Sequence, residues 1–198
     1  MIDASGRAAL YGWFSRLFVR EIDDPFAEVL QGGLTAELVP TFYRSDERAA
    51  VRDPAQRGRF DADFTKITVV SLVPYGSFYL RDDARIEAGL GNPLVAFYRR
   101  YGFEVDLGAA RALSPDHLGI SLEFLSVLAA TEAAAAADGR DDYAADARRV
   151  SRAFLWDHLG AWAPVYLLAV QRSAETELYR DGAAAALAWI LTDAEGGR

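Results

Sequence analysis

Two side chains able to move protons sit next to each other at Asp116-His117, directly behind Ser114-Pro115. The spacing reads as a helix start, with Ser114 as N-cap, Pro115 at the first helical position, and Asp116 and His117 in the first turn. Such a pair can serve as an acid and a base. An acidic residue in a first turn is equally well explained by the helix dipole, and a single histidine there by a structural hydrogen bond. Aromatic chemistry gathers at Tyr75, Phe78 and Tyr79, around Gly76 and Ser77 and behind Pro74. In a Pro/Gly loop such rings either make outside contacts or plug the loop onto the core.

Other chemistries have no residues to carry them. Cysteine is absent, which excludes disulfides, thiolate metal sites and a cysteine nucleophile. The two histidines, His117 and His158, fall on separate elements and form no zinc-binding spacing. Gly89-Leu90-Gly91 lacks the third glycine of a dinucleotide loop, and neither a nucleophile elbow nor a phosphate loop occurs. The expectation is therefore no catalytic residue, no metal and no cofactor.

The elements that must position these residues are helical. Leu10, Trp13, Phe14, Leu17 and Phe18 mark a first helix over residues 8–20. Asp24-Pro25 and Asn92-Pro93 are helix starts, and Gly102 follows the end of the second. Leu118, Leu122, Leu125 and Leu128 recur at spacings of three and four, which predicts a long helix from Ser114 to about Ala137, stopped by Asp138-Gly139. Further helices are expected from residues 141 or 142, over 166–172 and over 175–191. Residues 65–73 are rich in β-branched side chains, as in a strand, yet Phe64, Ile67, Val70 and Ser71 also fit a helical stripe. With nothing for a lone strand to pair with, helix is the reading. The fold class is all-α: a single globular helical domain over 1–198, with a soft internal boundary near 107–113 and an exposed connector over 44–59.

Of 198 residues, 52% are hydrophobic and 25% charged, a globular composition. Twenty-nine acidic residues against 21 basic ones give a net charge of −8, which argues against nucleic-acid binding and suits a basic partner. A single lysine, Lys66, stands against 20 arginines, a compositional bias. The first residues show no export signal, and the apolar stretches 163–170 and 183–191 are too short to span a bilayer. A cytoplasmic protein without stable membrane insertion is expected.

Taken in order, five pieces resemble a known family. They are Tyr11-Gly12-Trp13-Phe14-Ser15-Arg16-Leu17-Phe18, Val73-Pro74-Tyr75-Gly76-Ser77-Phe78-Tyr79-Leu80, the run from Asn92 to Phe103, Pro115-Asp116-His117-Leu118 leading to Leu122-Glu123-Phe124-Leu125, and Phe154-Leu155-Trp156-Asp157-His158-Leu159 running to Trp162-Ala163-Pro164. Their order is similar to that of the TorD/DmsD/NarJ family of molybdoenzyme maturation chaperones. The loop 72–79 looks closest to the branch serving periplasmic enzymes of the dimethyl-sulfoxide-reductase class. The resemblance implies an all-helical chaperone with no catalytic site and no cofactor. It implies binding to the catalytic subunit of a molybdopterin-dependent oxidoreductase, through that subunit's N-terminal leader, a twin-arginine signal. The subunit is held for cofactor insertion before export. It implies a monomer or a domain-swapped dimer, and a peptide site made of Tyr75, Ser77, Tyr79, Pro115, Asp116 and His117. The family signature Glu-Pro-x-Asp-His is only half present, because Leu113 and Ser114 stand at its first two positions. Asp106 and Glu123 would add to the field around Asp116 if the fold brought them near. Two other readings compete: a small-molecule enzyme or sensor using Asp116 and His117, and a plain scaffold or oligomerisation domain.

Overall fold

Side-chain caps fix where several of the helices begin. In the computed structural model, which describes residues 2–195, they are α1 (Ala4–Val19), α2 (Asp24–Val29), α3 (Gly33–Leu38), α4 (Pro40–Arg44), α5 (Glu47–Ala50), α6 (Gly58–Thr65), α7 (Gly76–Leu80), α8 (Pro93–Arg100), α9 (Leu118–Ala137), α10 (Asp141–Asp157), α11 (Ala163–Ser173) and α12 (Glu177–Glu195). No strand occurs among the described residues, and the fold is all-α. Asn92 caps α8 as its sequence promised, its Oδ1 accepting from Leu94 N. One residue earlier than expected, Asp23 rather than Asp24 caps α2, accepting from Phe26 N. Residues 66–70 continue α6 as a π-helical turn closed by Ser71 N–H to Lys66 O at 2.9 Å, so the β-branched run is helical.

The chain divides into two units. The first takes residues up to Val19, Tyr75–Ala163 and those from Ile190 onward. Its centre is α9, which packs against α1 and α10. Leu118, Leu122, Leu125 and Leu128 are all buried, and so are Leu10, Trp13, Phe14, Leu17 and Phe18 of α1. Each such leucine contributes roughly 1.5–3 kcal/mol by burial. α9 is long and apolar enough to cross a membrane by length and composition alone, unlike the shorter stretches the sequence drew attention to. Its first turn, residues 118–122, is buried on every side because neighbouring helices cover it. At Gly119 the backbone of α1 comes so close that a Cβ would lie 2.8 Å from Val19 Cα. Further along, Ser126 Oγ donates to Ala8 O, and buried Arg7 pairs with Glu132 at 2.6 Å. Phe97, Tyr98, Phe103, Phe124 and Phe154 form one aromatic cluster that fixes α8 to α9 and α10. Residues 107–113, the expected soft boundary, lie inside this unit.

The second unit takes Arg20–Pro74 and Pro164–Trp189. Its short helices are joined by carboxylates set against helix-start N–H groups. Buried Asp63 accepts from Glu175 N, Thr176 N and Thr176 Oγ1. Asp181 accepts from Thr41 N and Phe42 N, and Glu47 Oε2 from Leu178 N. Tyr166 OH donates to Ile67 O. The stretch 44–59, expected to be an exposed connector, contains α5 and buries Ala50 and Val51.

Two substitutions test this packing. Gly119→Ala should destabilise the fold by about 2 kcal/mol, since the clash is with backbone that cannot rotate away. Asp63→Ala should cost about 3 kcal/mol by leaving buried N–H groups unsatisfied. Urea unfolding followed by circular dichroism reads both, and Asp63→Asn, which keeps one acceptor, should cost less.

Candidate functional site

All six residues singled out in the sequence lie in the first unit, and the fold brings them together. Tyr75 and His117 form an isolated antiparallel bridge. Gly76 N–H donates to Asp116 O at 3.1 Å, and Ser77 N–H donates to Asp116 Oδ2 at 2.6 Å. The Tyr75 ring meets the His117 ring edge-on at 5.1 Å, and Tyr75 OH accepts from Leu113 N. Pro115 contributes its carbonyl, which accepts from Tyr98 OH. The Ser77 hydroxyl accepts from Glu87 N.

The local geometry corrects the expected helix start. α9 begins at Leu118, and its N-cap is His117, whose Nδ1 accepts from Gly119 N at 3.1 Å. Ser114 is not the cap. It lies in a turn, and its hydroxyl donates to Glu87 O while accepting from Asn92 Nδ2. Asp116 is therefore not a first-turn residue beside a helix dipole. It sits in the irregular segment before the helix and is only 1% exposed. Leu113, at the position of the family's glutamate, points outward at 62% exposure. Asp106 accepts from Ala109 N, and Glu123 lies exposed on α9.

Sequence reasoning missed the other wall of this site. A Cβ on Gly76 would lie 2.8 Å from Trp162 Nε1 and 3.3 Å from His158 Cε1, so the loop rests directly on those two side chains. Half-buried Tyr79 stacks on Trp162 with centroids 5.6 Å apart and planes 17° from parallel. Both His158 and Trp162 were visible in the sequence, but only the close approach of a glycine ties them to Tyr75-Gly76-Ser77. Two buried polar atoms here lack a hydrogen-bond partner: Asp116 Oδ1 and His158 Nε2. The site thus holds an unused acceptor and an unused imidazole nitrogen beneath an aromatic cover.

Burial governs the protonation of both histidines. It lowers His117 to about 4 against the opposing pull of Asp116, so the imidazole is neutral at pH 7 rather than titrating there as its type suggested. His158 is lowered by burial in the same way. Tyr75 and Tyr79 are raised by burial and stay protonated, able to donate. Among the described residues no three His, Asp or Glu side chains gather as a metal-ligand set.

The model of the family described as nitrate reductase delta subunit matches residues 34–167, more than half of the chain. The chain belongs to that family, the one its motif order resembles. Among curated proteins, the selenate reductase assembly chaperone protein of Thauera selenatis is 42% identical over 78 residues, 39% of this chain and 38% of the relative. The chlorate reductase assembly chaperone protein of Ideonella dechloratans is 42% identical over 76 residues, 38% of this chain and 37% of the relative. The matched segments thus span under two fifths of each relative's length. No solved structure matches the chain.

A histidine whose folded-state pKa lies below its unfolded value destabilises the fold on acidification. The stability tied to neutral His117 is complete above about pH 6.5 and is lost as pH falls toward 4. The loss should amount to roughly 3 kcal/mol. His117→Asn, which keeps an acceptor for Gly119 N, should flatten this limb of a stability-against-pH curve measured in urea.

Proposed function

We propose that this protein is an assembly chaperone that binds the catalytic subunit of a molybdenum-cofactor oxidoreductase. It takes that subunit by its N-terminal leader in the cytoplasm and holds it for cofactor insertion before export or assembly. Family membership and the two assembly-chaperone relatives support the chaperone role. The observation that carries the choice of site is the unpartnered Oδ1 of Asp116, a residue 1% exposed, next to the loop that bears Tyr79. A carboxylate oxygen held without a donor is a strong acceptor for a guanidinium. A net charge of −8 draws an arginine-bearing peptide toward the chain. Tyr79 offers a π-face on which such a guanidinium or an apolar leader residue can stack.

In this reading Tyr75, Ser77, Pro115 and His117 shape the site, Tyr79 meets the peptide at the surface, and the buried Oδ1 of Asp116 accepts from it once the loop that bears Tyr79 moves aside. Tyr75, Ser77 and His117 are engaged with backbone N–H groups or with each other, which suits a framework. The same engagement disfavours an acid/base role, because Asp116 Oδ2 and His117 Nδ1 already hold backbone hydrogen bonds.

Calorimetric titration of a twin-arginine leader peptide of a molybdoenzyme catalytic subunit tests the reading. Asp116→Asn keeps an acceptor for Ser77 N and removes the charge. It should weaken binding roughly 10- to 100-fold, the scale of a charged hydrogen bond. Tyr79→Ala should weaken it less and leave thermal stability near that of the wild type. Equal affinity in wild type and Asp116→Asn would remove Asp116 from the peptide site. Capture of the enzyme subunit without any leader binding would move recognition to another face.

A further inference from the structure

Two buried polar atoms of the first unit share one cover and have no hydrogen-bond partner: Oδ1 of Asp116 and Nε2 of His158. Gly76 lies on both residues. Its N–H donates to Asp116 O at 3.1 Å, and a Cβ on it would lie 3.3 Å from His158 Cε1, the ring carbon bonded to Nε2. The start of α7 therefore covers the carboxylate and the imidazole together. A loop movement that uncovers Asp116 Oδ1 uncovers His158 Nε2 with it. Burial, opposed by the charge of Asp116, keeps the His158 imidazole below its ordinary pKa. With its one proton on Nδ1, the ring presents Nε2 as a neutral acceptor.

The neighbouring acceptors are already used. Asp116 Oδ2 takes Ser77 N–H, His117 Nδ1 takes Gly119 N–H, Pro115 O takes Tyr98 OH, and Ser77 Oγ takes Glu87 N–H. What remains is one charged acceptor and one neutral one, both without a donor. Leaving them so costs free energy, and a ligand that supplies two donors recovers it. A guanidinium meets the requirement. It spreads N–H donors over a rigid plane, so it can reach two acceptors set apart, and its single charge is balanced by the one carboxylate. With a second acid in place of His158 the filled site would hold an uncompensated negative charge. An ammonium is a compact, strongly hydrated point charge, and it gains less from a second acceptor.

We propose that His158 is the second acceptor of the leader site: one arginine of the leader bridges Asp116 Oδ1 and His158 Nε2, and this pair selects arginine over lysine. The role rests on leader binding at Asp116 and adds the residue that sets its specificity.

Calorimetry on the full chain tests it, with a twin-arginine leader peptide and its counterpart carrying lysine at both positions. The wild type should bind the arginine peptide about tenfold more tightly, the scale of one hydrogen bond to a charged group. His158→Leu should weaken the arginine peptide by about that factor and the lysine peptide by less than about twofold, so the preference disappears. His158→Gln, which sets an amide acceptor near the place of Nε2, should keep most of the preference. A merely structural role would weaken both peptides alike. A second readout needs no variant of His158. The chain has two histidines, so isotope labelling of histidine gives two imidazoles, told apart with His117→Asn. The Nε2 resonance of His158 should move upfield when the arginine peptide binds, and less with the lysine peptide. An unchanged preference in His158→Leu, an equal weakening of both peptides, or an unmoved Nε2 resonance with the arginine peptide bound would overturn the role of His158 and leave Asp116 as the leader's acceptor. No binding of the arginine peptide by the wild type would overturn both.

Discussion

Ser77 and Asp116 are 39 residues apart, and the 2.6 Å bond from the Ser77 N–H to the Asp116 carboxylate joins the segments on which the candidate site depends. It holds the start of α7 against the stretch that leads into α9. Around it the Gly76–Asp116 backbone bond, the Tyr75–His117 bridge and the Ser77–Glu87 and Ser114–Glu87 bonds tie three irregular stretches into one surface. A charge-assisted bond in a dry setting is stronger than its counterpart in water, and leaving the carboxylate without it would be costly. That cost explains how a loop rich in Pro, Gly and Tyr keeps one shape. It also explains why one oxygen of Asp116 can remain unpartnered: the other anchors the group.

The same device recurs through the second unit. Asp63, Asp181 and Glu47 each place a carboxylate on backbone N–H groups of a distant segment, and Asp23 does so locally at the start of α2. Several of its helices have only four to six residues, too few to persist alone. Long-range carboxylate caps supply what propensity cannot. Part of the chain's acidity is thus structural.

Burial also changes what the histidines are. A histidine at a helix start suggests a group that switches near neutral pH, yet His117 is the cap itself and is held neutral by its surroundings. Its imidazole acts as a shaped acceptor with an aromatic neighbour, and His158 is a neutral wall of the same site. Leu113, where the family has glutamate, faces outward and contributes its N–H rather than a charge. The framework around Tyr75 therefore forms without that acid.

Much of this fold was legible in residue order, because helix signals are local. The Leu118–Leu128 spacing gave α9, Asn92-Pro93 gave α8, and the aromatic face of α1 gave its buried side. Motif order groups Tyr75, Ser77, Tyr79, Pro115, Asp116 and His117, and the folded chain sets Tyr75 against His117 and Ser77 against Asp116. Other features depended on partners far away in the chain. Asp116 was misplaced onto a helix because the pull of Ser77 N–H, 39 residues earlier, is invisible to local capping rules. The buried Ala50 and Val51 in a charged stretch depend on how short helices pack. His158 and Trp162 joined the site only because a glycine lets two backbones approach where any Cβ would collide. Periodicity and caps are written in neighbouring residues, whereas close approach and the satisfaction of buried polar groups are settled by the folded chain as a whole.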